Sequence, residues 1–308
     1  MSRRAWIAFA TVSVLWGVPY FFIKVAVDEV HPLFLAWSRV ALGAAVLLPV
    51  AWRLGALRGV RERWRAVLAF SVIEIVLPFS AIPVGERFVS SSLAAIIIAA
   101  VPLTIAVMAA RVDPAERPRG LRLAGLFVGL AGVVALVGID VAGHPRELIG
   151  VGCLMIATLG YSAAPLIVRA KLSSLPPMGP VAASLGISSV LMAPAGLITF
   201  PDAMPADKVI GSIVVLGIAC TAVGLAVMFA LIAEAGPSRA SVVTYINPVI
   251  AVALGVVFLD EGLGVGALAG LLLILAGSWL ATGGRVPSRQ TQVAFETRAD
   301  GLPRPSPS

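Results

Sequence analysis

The sequence predicts an all-α integral membrane protein, with ten transmembrane helices in a five-plus-five inverted-topology repeat. Three observations predict it. Hydrophobic residues make up 59% of the chain and charged residues 13%, and the mean hydropathy is +1.00. A soluble domain of 308 residues cannot hide that much apolar surface. Ten apolar stretches fill the chain almost end to end, at 5–26, 33–52, 66–84, 91–110, 123–139, 148–168, 180–200, 209–232, 240–259 and 265–282. About 20 apolar residues carry a helix across the hydrocarbon core, and most of these stretches qualify. Finally, the second five stretches repeat the first five at a nearly constant offset of 145 residues.

The repeat is visible residue by residue. Trp16 falls on Tyr161, Lys24 on Arg169, Pro32 on Pro177 and Pro49 on Pro194, each 145 apart. Glu116, Gly125 and Gly132 fall on Glu261, Gly270 and Gly277 at the same offset, while Pro102 and Pro248 differ by 146, a one-residue loop change. One such match arises by chance in an apolar background, but not eight in order. The expected organisation is a first repeat over 1–140, a second over 146–283, and a polar, Pro/Ser-rich tail at 284–308 expected to be a disordered cytoplasmic extension.

Five spans per repeat is an odd number, so the second copy must enter the membrane from the opposite side. The charges agree. The loop at 53–65 holds five Arg and its counterpart at 201–208 one Lys; 111–122 holds four Arg and 260–264 none. Over alternate connections, Lys and Arg divide 18 on the side of the N-terminus against 3 on the other. The positive-inside rule then places both termini in the cytoplasm. Much of the net charge of +7 is this topology signal, and no basic stripe with interleaved aromatics points to nucleic acid.

The first span follows a basic start and is too long for a secretory signal, so it reads as a retained helix; Ser13, Trp16, Gly17, Tyr20 and Lys24 share one of its faces. The second carries Arg39 and the third Glu74, both within the hydrocarbon, where a charge persists only if it faces a cavity or a partner. The two differ in depth by less than roughly 10 Å, so they could pair. Glu74 is either half of a structural ion pair or a coupling group that exchanges Arg39 for a proton or a cationic substrate. Pro102 in the fourth span and Pro248 in the ninth each remove a backbone donor, from Ile98 and Thr244 respectively, and are hinges or static kinks. Gly125-x3-Gly129 and Gly266-x3-Gly270, on the equivalent fifth and tenth spans, allow close helix approach, within the chain or in a dimer. Glu116 and Glu261, at the mouths of those spans, suit helix capping. The sixth span aligns Thr158, Tyr161, Pro165 and Arg169, and the ninth aligns Ser241, Thr244, Tyr245 and Pro248. Lys24 and Arg169 sit near helix ends, where snorkelling accounts for them.

Leu15-Trp16-Gly17, Pro32 with Arg39, Pro102, the Glu116-to-Gly132 pattern, and Pro248 with Glu261-x8-Gly270-x6-Gly277 together resemble the EamA-like branch of the drug/metabolite transporter superfamily. The resemblance spans about residues 5–283 and implies the five-plus-five inverted repeat and export of small metabolites or drugs. Leu159-Gly160-Tyr161 departs from it where a Trp is expected.

Cys153 and Cys220 lie within spans, which argues against a disulfide or metal site, and His31 and His144 stand alone in loops. No phosphate loop, paired catalytic carboxylates or activated nucleophile occurs, which argues against an ATP-driven pump and an enzyme. The expectation is a secondary transporter of the bacterial inner membrane, without cofactor, monomeric or homodimeric, with protons as a candidate coupling ion. Twenty Arg against three Lys suits a GC-rich bacterial genome. The expected cavity residues are Trp16, Tyr20, Arg39, Glu74, Tyr161, Thr244, Tyr245 and Asn247. A passive uniporter or channel, and a membrane enzyme acting on a lipid phosphate, are the alternatives from other classes.

Overall fold

The computed structural model describes residues 1–112, 117–138 and 144–281, and among them all regular structure is helical. In chain order the apolar helices are α1 (Arg3–Val27), α2 (Pro32–Arg53), α3 (Arg61–Glu86), α4 (Ser91–Val112), α5 (Leu121–Leu136), α6 (Pro145–Leu172), α7 (Met178–Ile198), α8 (Asp207–Ala235), α9 (Val243–Phe258) and α10 (Val265–Ala281). Seven are long and apolar enough to cross a membrane by length and composition; α5, α9 and α10 are shorter. Large apolar side chains line the outer surface of the bundle, Phe127, Val190 and Leu272 among them. That is the surface a bilayer solvates. The ends fall within a few residues of expectation except in α3, which begins earlier and runs on to Glu86. Glu116 and the tail at 284–308 lie outside the described residues.

Glycine sets the helix crossings. A Cβ on Gly132 would stand 3.0 Å from the Gly270 carbonyl, and one on Gly270 3.0 Å from the Gly132 carbonyl. Gly125 and Gly277 face each other in the same way, at 2.8 and 2.6 Å. These four positions exchange under the 145-residue offset, so α5 and α10 meet as matched halves. The glycine faces are therefore spent inside the chain rather than offered to a second copy.

A second pair of contacts repeats. Gly17 of α1 packs on Asn247 and Ile250 of α9, where a Cβ would meet Ile250 at 2.7 Å and the Asn247 carbonyl at 3.2 Å. On α6, Ser162 donates to the Val101 carbonyl (3.3 Å) and shares a hydrogen bond with Thr104 of α4. Shifting Gly17 by 145 gives Ser162, and shifting Val101 and Thr104 by 146 gives Asn247 and Ile250. The same crossing is built twice from different side chains.

Candidate functional site

α3 and α8 are not regular throughout. Ser71–Val76 and Val215–Val223 are π-helical, and the first segment shifted by 145 lies within the second. A π turn leaves carbonyls outside the usual i→i−4 ladder, and such turns concentrate at functional sites. Those of α8 are used. The Cys220 carbonyl accepts from Trp16 Nε1 at 3.2 Å, and Thr221 Oγ1 donates to the Leu216 carbonyl five residues back, at 2.8 Å.

Arg39 converges on the same turn. Only 9% exposed, it donates from Nε to Thr221 Oγ1 at 3.0 Å, and its guanidinium lies 4.2 Å from the Phe79 ring centroid on α3, a cation–π geometry. Gly43 and Gly217 permit this by bringing α2 against α8; a Cβ on Gly217 would stand 2.6 Å from Leu42. The anticipated pair with Glu74 does not form among the described residues; Arg39 bonds the Thr221 hydroxyl of α8 instead. Glu74 is half-buried in the α3 π segment. Tyr161 follows Gly160, whose missing side chain lets α6 approach the Ile73 carbonyl, 2.6 Å from an ideal Cβ. Leu159-Gly160-Tyr161 thus serves close packing against the α3 π segment.

On α9, Asn247 ties its helix to α1: with its amide turned to satisfy both neighbours, Nδ2 donates to the carbonyls of Val243 (3.0 Å) and Ser13 (3.2 Å). Tyr245 donates to the Ser278 carbonyl on α10 at 3.3 Å, while Thr244 bonds locally to the Ser241 carbonyl at 2.7 Å. Tyr20 is half-buried against the main apolar core. Trp16, Arg39 and Asn247 thus stand on a shared set of crossings between the halves, whereas Thr244 turns back on its own helix. The two prolines differ. α4 is interrupted at Ala99–Ala100, just before Pro102, while α9 runs unbroken through Pro248.

A second polar centre lies where α3 ends and α4 begins. Glu261 accepts from the Ser91 N–H (2.7 Å), the Ser92 N–H (2.9 Å) and the Ser92 hydroxyl (2.6 Å). It caps a helix as expected, but α4 rather than the helix that follows it. Asp260, at φ 52°, turns the chain back after α9, and Gly255 leaves room for the carboxylate; a Cβ there would stand 2.3 Å from Glu261 Oε2. Lys24 does not snorkel. Its Nζ donates to the carbonyls of Glu86 (2.6 Å) and Val89 (3.0 Å), fixing the C-terminal end of α3. Glu86 itself is 0% exposed.

Sequence reasoning missed Thr221, Phe79, Glu86 and the serines held by Glu261. The two π segments leave no compositional mark, so the Thr221 contact had no signal. Glu86 stands just past the expected third span, 66–84, at the end of α3, so a buried carboxyl there fell outside the reading.

The family model for EamA-like transporters matches residues 3–138 and again residues 148–283. The chain belongs to this family. It is accordingly a multi-pass membrane transporter, similar along most of its length to others known only as transporters. It is 26% identical over 277 residues to the uncharacterized transporter YvbV of Bacillus subtilis, covering 89% of this chain and 90% of that one. An uncharacterized transporter of Archaeoglobus fulgidus is 24% identical, with 90% and 98% covered. The uncharacterized inner membrane transporter YedA of Escherichia coli K12 is 27% identical, with 80% of each chain covered. A solved crystal structure shares the fold at a TM-score of 0.64 and 22% identity, covering 92% of this chain and 97% of the other.

Proposed function

We propose that the protein is a secondary active transporter that exports a small metabolite or drug-like molecule across the bacterial inner membrane by alternating access. Its two five-helix halves, 1–140 and 146–283, are inverted copies with both termini cytoplasmic. The observation that carries this reading is the duplicated crossing, Gly17 on Asn247 and Ile250 against Ser162 on Val101 and Thr104, together with the family match in each half. Two copies of one packing solution can exchange conformations around a shared midplane site, which is how inverted-repeat transporters alternate access.

In this reading Trp16, Tyr20, Tyr161 and Tyr245 wall the cavity, Arg39 meets an anionic group of the cargo, and Thr244 and Asn247 offer hydrogen bonds. Glu74, in the α3 π segment, carries a proton or meets an amine. Pro102, at the break in α4, is a hinge, with Pro248 its counterpart. The E. coli relative named as an inner membrane transporter supports the location, and the 18-to-3 charge split supports the orientation.

A broad efflux screen in an overexpressing strain, followed by counterflow of the best compound in proteoliposomes, tests the reading. Saturable counterflow is expected of a carrier. Flux that rises linearly with concentration and shows no counterflow would make the protein a channel.

A further inference from the structure

We propose that Glu86 is a proton-binding site, the first acceptor for protons arriving from the outer side of the membrane, and that Lys24 is the cation that replaces the proton when it leaves. The inference rests on the proposed function for what the proton is used for and for which side is outer. Glu86 is wholly buried, and neither carboxylate oxygen has a hydrogen-bond partner among the described residues. An ionised carboxylate is not left bare in a low-dielectric interior; it is neutralised or paired. Yet the nearest ammonium, on Lys24, is bonded to the main-chain carbonyls of Glu86 and Val89 and not to the carboxylate. A proton on the carboxyl accounts for both facts.

The surroundings leave Lys24 as the available counter-ion. Arg39 on α2 is committed to Thr221 and Phe79, and Glu261, ahead of α10, has its own donors in Ser91 and Ser92. Tyr20 on α1, Glu74 roughly 18 Å back along α3, and Cys153, Tyr161 and Glu147 on α6 are not cations. Arg87, next to Glu86, and Arg146, at the start of α6, are cations, but both are exposed and line the outer groove, and the other basic residues of α1, α2, α3, α4 and α6 (Arg3, Arg4, Arg53, Arg61, Arg63, Arg65, Arg111, Arg169 and Lys171) stand towards the opposite helix ends. Ser91 Oγ, also buried, lacks a partner too. The residue after Glu86 opens onto water: Arg87, Phe88, His144, Arg146 and Glu147 line a groove of about 650 Å³.

The step balances simply. The O–H bond of the Glu86 carboxyl breaks, the proton passes to water in the groove, and the Lys24 ammonium turns from the two carbonyls to the new carboxylate. Lys24 then releases the Glu86 and Val89 carbonyls, and the α3–α4 loop loses its tie to α1 while Glu261 still holds the start of α4. Proton occupancy is thereby linked to a contact between helices.

Dicyclohexylcarbodiimide, which attacks protonated carboxyls in apolar surroundings, tests this on the full chain in membranes, with adducts mapped by mass spectrometry across a pH series. Glu86 is expected to be labelled at acid pH with labelling lost as pH rises, and Glu86→Gln to lose that adduct. Lys24→Met is expected to increase labelling of Glu86 at neutral pH, and Lys24→Arg to leave it unchanged. Should Glu86→Gln not reach the membrane, the adduct map of the parent decides alone. No adduct on Glu86 at any pH, or equal labelling at every pH, would overturn the proposal, the latter marking a permanently neutral structural group. Counterflow by a parent whose Glu86 does not titrate would remove the proton site and leave the transporter reading standing. A titrating Glu86 in a protein without counterflow for any screened compound would support the site and remove that reading.

Discussion

Arg39 shows what one residue reveals before and after its neighbours are known. An arginine inside an apolar span demands a partner, and the sequence offered Glu74 on the adjacent helix at similar depth. The structure gives it Thr221 and Phe79 instead, partners that carry no charge and so no sequence signal. Thr221→Val, which keeps the shape but strands the Arg39 Nε–H, should cost about 1–3 kcal/mol of stability. A double-mutant cycle with Arg39→Met, read by thermal or denaturant unfolding in detergent, should show coupling of about 1 kcal/mol or more. The cycle of Arg39→Met with Glu74→Leu should be additive within about 0.5 kcal/mol; clear coupling there would mean that the two charges do meet. Glu74 then has its own test. In a proton antiporter, Glu74→Gln should abolish efflux driven by a pH gradient while sparing substrate-for-substrate exchange, because exchange moves no net proton. Uphill efflux as steep as the parent's would move proton coupling away from this residue.

At the scale of helices, apolar length placed the spans, and glycine spacing marked faces of close approach on α5 and α10 without saying which helix each would meet. Glycines at the α5–α10 seam should be intolerant in proportion to what a methyl group would strike. Gly277→Ala sets a Cβ 2.3 Å from the Gly129 backbone nitrogen, which cannot rotate away, and should destabilise by about 1–3 kcal/mol. Gly152 and Gly211 have nothing within 4 Å; alanine there should be neutral or stabilise by up to about 1 kcal/mol through better helix propensity. Melting of the three variants side by side checks this, and equal tolerance at all three sites would mean that the seam is not packed as described. The π segments of α3 and α8 were not legible. A π turn differs from an α turn in how the backbone bonds, and Ser71–Val76 is as apolar as any helical stretch around it. The clamp of Glu261 was half legible: its place at a span mouth indicated capping, but only the turn at Asp260 directs it to α4.

For the molecule as a whole, the repeat carried furthest, because it constrains many residues at once. Prolines, glycines and charged loops 145 residues apart predicted ten spans and their pairing, and the crossing of α1 on α9 recurs as α6 on α4 from dissimilar side chains. What the chain transports was not legible, since the residues around Arg39 and Asn247 mostly bond one another and their chemistry fits many small molecules. The central claim is that the halves are inverted copies, and topology mapping tests it most directly. Reporter fusions at Arg285 and within 53–65 should both read cytoplasmic, and a fusion near His144 should read external. A C-terminus on the external side, opposite the 53–65 loop, would contradict it.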